Sequence, residues 1–367
     1  MRLLFLSLLL LAGAGGWWAT SGSPDVTGAR ARTERAPRER APLMEGVEAT
    51  TVEADLATLW ELSEYVDRPR LESVVGRLLQ RVQDAPDAPD APDAERGDVH
   101  VALCEGLRLV GDVQGAVDHG LLATEAQPAS SEAHRLHAKA VGELMRTGGV
   151  LAAMRQLGTY KALVAKAVEL DPHNIEARVD RIGFLVFAPG MVGGDVDEAL
   201  AMCDAMQEED PRHAGLMASL ALAQMDRLDD ALERCAETLE AFPGDQTLHL
   251  TLARLYQESG RPEQAHPHFD AVLDGDLTAK YYQALYQRAV LRLEEGRLQE
   301  QVITDLEAYL EADPYGDFLP TIADVHARLG EVHVALGRTE VARASFQRAL
   351  LLDEDHEDAE AGLDGLD

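Results

Sequence analysis

Apolar residues along most of this 367-residue chain recur at the spacing of one helix face. In residues 49–83 the sets Leu56, Leu59, Trp60, Leu62, Tyr65 and Leu71, Val74, Val75, Leu78, Leu79 predict a helical hairpin broken near Pro69. From Gly97 to His356 a longer pattern recurs seven times: an apolar helix, a turn containing Gly or Asp, and a second helix. The second helices open their pattern at Ala116, Ala199, Ala231, Ala265, Val302 and Ala342. Four residues on stand Gly120, Cys203, Cys235, Phe269, Leu306 and Phe346. Three further on are Ala123, Met206, Thr238, Val272, Tyr309 and Ala349. Positions i, i+4 and i+7 share one helix face, so each triplet predicts a buried stripe. Pro128, Pro172, Pro211, Pro243 and Pro314 then stop the helix, because proline lacks the amide and clashes with the preceding turn.

These copies resemble the tetratricopeptide repeat (TPR), a two-helix unit of about 34 residues. Ala323–His356 carries Leu329, Gly330, Gly337, Ala342, Phe346 and Ala349 on the family's signature positions, with Glu354 in the usual proline slot. Gln246–Ala279 matches through Leu252, Ala253, Tyr256, Gly260, Ala265 and Phe269. Pro211 and Pro243 bound a third copy, and the stretch 131–174 is the least typical. The resemblance implies an all-α fold, a right-handed α-α superhelix (TPR solenoid) of about seven helix-turn-helix repeats in a protein of the bacterial exported type. It also implies a non-enzymatic scaffold or adaptor that binds a protein or peptide partner along the first helices. Elementary physics points to the same stacking. Helices of about 13 residues are marginal alone in water, and a lone pair cannot cover both of its apolar faces.

Aligning the repeats puts His213, Leu216, Leu220, Thr247, Leu250, Arg254, Asp324 and Ala327 at groove positions. The lysines and asparagines of a carboxylate clamp are absent there, and the whole chain has four lysines, which argues against acidic C-terminal peptides as ligands. Leu216, Leu220, Leu250 and Arg254 are the candidate groove contacts. Two insertions depart from the repeat, about eight residues within Thr147–Gly158 and about four within Ala188–Asp195. Both fall in the turn between first and second helix of adjacent units, so both are expected to project from one edge. A second candidate surface is therefore a lip of Leu151, Met154, Arg155, Phe187, Met191 and Val192. The competing reading is that these side chains only cover neighbouring helices.

Hydrophobic content of 46% with only 5% aromatics, mostly Ala and Leu, suits close-packed helices. The net charge of -32 repels phosphate backbones, so no nucleic acid partner is expected; basic peptides remain compatible. Cys104, Cys203 and Cys235 are odd in number, far apart and on packing positions, and no CxxC pair suggests zinc. His134/His137 share a helix face and His266/His268 flank Pro267, so either pair could bind a transition metal weakly; without an HExxH context or a clear carboxylate partner they read as surface histidines. The adjacent acids Asp229-Asp230 and Glu208-Glu209 do not share a helix face and make poor acid–base pairs. There is no Walker loop, GxGxxG after a strand, or GxSxG, so no catalytic residue, metal or cofactor is assigned. An enzyme built on the solenoid remains the remote alternative.

Arg2, the apolar run Leu3–Leu11 and the small residues Ala12–Gly16 read as a signal peptide, with cleavage expected after Ala14 or Ser21. An uncleaved anchor over Leu3–Ala19, with Trp17 and Trp18 at the interface, would instead make the chain a membrane-tethered assembly factor. Arg30, Arg32, Arg35, Arg38 and Arg40 weigh against simple export, diluted by Asp25, Glu34 and Glu39. Either way the expected location is exported: periplasmic, secreted, or anchored facing outward. The organisation then reads as 1–21 signal or anchor, 22–48 disordered linker, 49–83 hairpin, 84–96 Asp-Ala-Pro spacer, 97–356 solenoid and 357–367 acidic tail. In the spacer, proline at every third residue favours polyproline II, which places Asp84, Asp87, Asp90 and Asp93 ~9 Å apart, too far to share a calcium ion.

Overall fold

The computed structural model describes residues 51–64, 66–84, 93–297, 299–317 and 319–366; the expected leader, the 22–48 linker and most of the spacer lie outside them. Regular structure among the described residues is helical. Helices α1 (Val52–Glu64) and α2 (Arg68–Asp84) form the hairpin. Seven pairs follow: α3 (Asp93–Val110) with α4 (Val113–Ala126), α5 (Ser131–Thr147) with α6 (Gly149–Leu170), and α7 (Ile175–Phe187) with α8 (Val196–Met206). Next come α9 (Pro211–Gln224) with α10 (Leu228–Ala241), α11 (Gln246–Glu258) with α12 (Pro262–Leu273), α13 (Ala279–Glu294) with α14 (Gln299–Ala312), and α15 (Ile322–Ala335) with α16 (Thr339–Leu352). Helix α17 (Glu357–Asp364) closes the order. Two expected boundaries move. Residues 93–96, placed in the spacer, open α3. Residues 357–364, placed in an acidic tail, form α17, anchored by the fully buried Ala359.

Local chemistry sets the pair boundaries. The first helices of repeats two to seven each begin behind a polar side chain that accepts a backbone amide: Ser130, Asn174, Asp210, Asp245, Thr278 and Thr321. Thr321 and Asp324 complete a reciprocal capping box. The turn from first to second helix passes through a left-handed residue in every repeat. Glycine takes it at Gly111, Gly149, Gly193, Gly260, Gly296 and Gly337, and Asp226, at φ +62°, takes it in the fourth.

The described residues fall into two compact units, and the division runs through α8. In the first, residues 52–61 and 69–202, Leu59 and Val75 pack onto Gly106 of α3, where an added Cβ would lie 2.7–2.8 Å from their methyls. Buried Asp55 joins α1 to α2 through Arg77 (2.6 Å) and Arg81 (3.2 Å). In the second unit, residues 62–68 and 203–366, the predicted stripe residues Ala265, Phe269, Val272, Val302, Leu306, Ala342, Phe346 and Ala349 are all at most 1% exposed. The Phe346 ring lies between Gly330 and Gly362, and a Cβ on either glycine would collide with it. The space at Gly330 and Ala342 is thus already filled. Gly330→Ala and Ala342→Leu should each lower unfolding free energy by about 1–3 kcal/mol through overpacking. Adding Phe346→Leu to Gly330→Ala should recover part of the loss, and urea titrations of the variants measure both effects.

Candidate functional site

The two insertions fold differently from each other. The eight extra residues of the second repeat form no loop. Gly148 and Gly149, the latter at φ +72°, make the whole turn, and the remainder lengthens α6 to 22 residues. A Cβ on Gly148 would press on Ala152 and the Leu144 carbonyl, so the abrupt turn requires glycine. Leu151, Met154 and Arg155 therefore sit on the first turns of a helix. The third-repeat insertion is a short 3-10 turn, Gly190–Val192. Pro189 O accepts from the Val192 and Gly194 amides (2.9 and 3.1 Å), and Asp195 N donates to Leu185 O (2.9 Å). Gly194 admits no side chain because a Cβ would run into the Ala188 carbonyl. Lys161 of α6 donates to Val192 O (2.8 Å) and lies 5.9 Å from the centroid of the Phe184 ring, tying helix and turn together. On this rigid frame Met191 is 70% exposed, Met154 64% and Leu151 62%; Arg155 is exposed, and Phe187 and Val192 are half-buried.

The groove candidates divide. Leu216 (7% exposed) and Leu250 (4%) belong to the apolar core of the second unit and offer no free surface, because the facing second helices cover them. Leu220 and Arg254 are half-buried. Burial pulls the Arg254 pKa down against the opposing pull of Glu258 one turn on, and burial likewise raises Glu258. Further along, buried Asp305 accepts from Arg288 (3.0 Å) and Arg292 (3.1 Å), pinning α13 to α14.

Histidines hold a pattern the sequence reading missed. His100 and His119 face each other Nδ1 to Nδ1 at 2.9 Å, and His249 and His268 do the same at 3.0 Å. Both pairs are nineteen residues apart and occupy the same positions in the first and fifth repeats, a coincidence of spacing visible in the chain. His249 Nε2 faces the Pro243 carbonyl (3.0 Å), so it donates there and accepts at Nδ1 from His268. Burial lowers His119 and His268 to about 4, assisted by the neighbouring His100 and His249 respectively. The reading of His134/His137 and His266/His268 as surface residues is corrected. His137 is 5% exposed, also lowered to about 4 by burial, while His266 meets Glu295 at 3.0 Å. The cysteine thiols are free and buried, each raised to about 12 by desolvation, which keeps them protonated and inert. Among the described residues no group of three or more His, Cys, Asp or Glu is arranged to hold a metal ion, and no helix is long and apolar enough to cross a membrane.

Residues 222–289 and 323–356 match family models described as tetratricopeptide repeat. The crystal structure of yeast Tom70 resembles the chain with a TM-score of 0.64 at 13% identity, covering 98% of this chain and 68% of that one. A monomeric IFIT1 mutant solved with m7Gppp-AAAA gives 0.53 at 14% identity, covering 86% and 71%. A chain of the APC/C hetero-tetramer Cut9-Hcn1 gives 0.49 at 14% identity; this chain spans 57% of its length. At such identities the likeness to the first two is one of fold. No curated protein matches the sequence.

The histidines set a pH dependence whose sign is fixed. Their folded pKa values lie below the ordinary 6.5, so between about pH 6.5 and 4 the unfolded chain binds more protons than the folded one. Stability is fully present above that window and falls as pH drops through it. Melting midpoints should therefore fall from pH 6.5 to 4, and the slope should flatten in a His119→Gln, His268→Gln double variant.

Proposed function

Because this chain is a tetratricopeptide-repeat protein, we propose that it is a non-enzymatic scaffold that holds a protein partner at the edge formed by α6 and the Gly190–Val192 turn. Helical-repeat folds of this kind serve generally as protein-interaction scaffolds, and their insertions often gather on the binding face. The observation that carries the reading is the combination at Met191. A turn with glycines on either side, closed by its own hydrogen bonds and by Lys161, holds out a methionine that is 70% exposed. Exposed methionine costs solvation and adapts its shape to what it meets, a feature of surfaces that accept protein ligands. Leu151 and Met154 add apolar area on the tied helix, and Arg155 a charge. The half-buried Leu220 and Arg254 are secondary candidates in the second unit. We further place the protein outside the cytoplasm, on the strength of the Arg2–Gly16 segment.

A photo-crosslinking residue at Met154 or Met191 should capture a defined partner in the native host. The same residue at exposed Glu340 should not, and Met191→Asp with Val192→Asp should abolish capture while leaving helical content unchanged. Equal capture at Glu340, or full capture by the double variant, would remove the lip from consideration. Intact mass of the mature N-terminus tests the location: loss of the first 14 or 21 residues is expected for a cleaved leader.

A further inference from the structure

Within the second unit, the linker joining α1 to α2 is held in the manner of a ligand. The Val66 amide donates to Leu277 O (3.3 Å), and its side chain packs on the cluster containing Tyr282, Leu285 and Tyr309. The Asp67 amide donates to the Tyr315 hydroxyl (3.0 Å), which itself donates to Leu62 O (2.9 Å), so one buried phenol reads the backbone once in the linker and once in the last turn of α1. Arg68 is met from several sides. Its Nε donates to Asp313 O (3.0 Å) and stands 3.0 Å from Asp313 Oδ2, its Nη2 donates to Pro314 O (3.3 Å), and the guanidinium lies 5.6 Å from the centroid of the Tyr315 ring.

Three features set this corner apart from ordinary helix packing. Its polar contacts go to backbone atoms and one guanidinium, the groups by which an extended peptide is read. Asp313 sits at φ +41°, a left-handed conformation uncommon outside glycine, and with it presents both its carbonyl and its carboxylate to the arginine. The connection that carries it, 313–321, is longer than the connections 207–210, 242–245 and 274–278 that precede the first helices of neighbouring repeats.

We propose that the Leu277/Asp313–Tyr315 corner is a docking site for a peptide of the Val-Asp-Arg type, with an apolar and an arginine anchor, occupied in the free protein by the chain's own Val66-Asp67-Arg68, which such a partner displaces. The site is separate from the Met191 lip, and each can fail its test without touching the other. A cationic anchor suits a chain of net charge -32, whose field attracts basic segments.

The test uses the full chain carrying Val66→Asp and Arg68→Ala, with a fluorescein-labelled peptide of residues 60–72 as probe. The released chain should bind the peptide at least about tenfold more tightly than the unaltered chain, whose site is filled. Adding Tyr315→Phe to the chain, or Arg68→Ala to the peptide, should each weaken binding by about tenfold. The proposal is overturned if the released chain, with unchanged circular dichroism, binds no better than the unaltered one, or if the arginine-free peptide binds equally well. Hydrogen exchange on the unaltered chain decides the matter without any variant. Release requires the Val66 and Asp67 amides to exchange at least about tenfold faster than those of Tyr282 and Leu285. Exchange as slow as in those core residues would make the linker permanent structure and defeat the idea.

Discussion

Close approach of two helices at a residue with little or no side chain is the constraint on which the molecule depends. Gly106, Gly120, Gly215 and Gly330 each face a bulky group with no room for a Cβ, from the Leu59 and Val75 methyls to the Phe346 ring. Ser219, Ala253 and Ala289 take the position of Gly330 in the fourth, fifth and sixth repeats and are fully buried. Such contacts bring backbones near enough for dispersion to act along the whole helix face, and they punish any added methylene. Everything else follows from that spacing. The second helix lies where the stripe residues can fill the gap, and the left-handed turn residue sets the angle at which it returns.

Carboxylates buried in this tight interior meet cations. Asp55 between Arg77 and Arg81, and Asp305 between Arg288 and Arg292, are buried carboxylates that each accept from two arginines. Removing one side of such a node leaves a stranded charge, so these positions fix which helices may pair more than they raise net stability. The histidine pairs are joined instead by a neutral hydrogen bond, which couples helix pairing in two repeats to proton activity in the mildly acidic range.

The stripe at Ala265, Phe269 and Val272, or at Ala342, Phe346 and Ala349, was legible because period and residue size both pointed inward. So were the glycine-bearing turns. The burial of Leu216 and Leu250 was not legible, because position within a repeat says which way a side chain points, while burial depends on how deep the facing helix reaches. The 147–158 insertion was legible as extra residues; its helical form was not, since Val150, Leu151, Ala152, Ala153 and Met154 satisfy a helix and an apolar loop alike. Least legible was the linker corner. Tyr315 and Leu62 are joined across 253 positions, and no local pattern announces that a hydroxyl will meet a particular carbonyl. The exposed Met191, by contrast, followed from glycines and proline around an apolar pair.

Helix α17 has one more consequence. A stack of identical units has no intrinsic limit, since each unit leaves the face that its successor would cover. Here that face, with Phe346 at its centre, is covered by Ala359 and Gly362, Asp358 pairs with Arg328 of α15 (3.0 Å), and α17 carries Glu357, Glu360 and Asp364 to solvent. In electrostatic terms α17 exchanges an apolar face for a negatively charged one, which repels acidic surfaces and attracts basic ones.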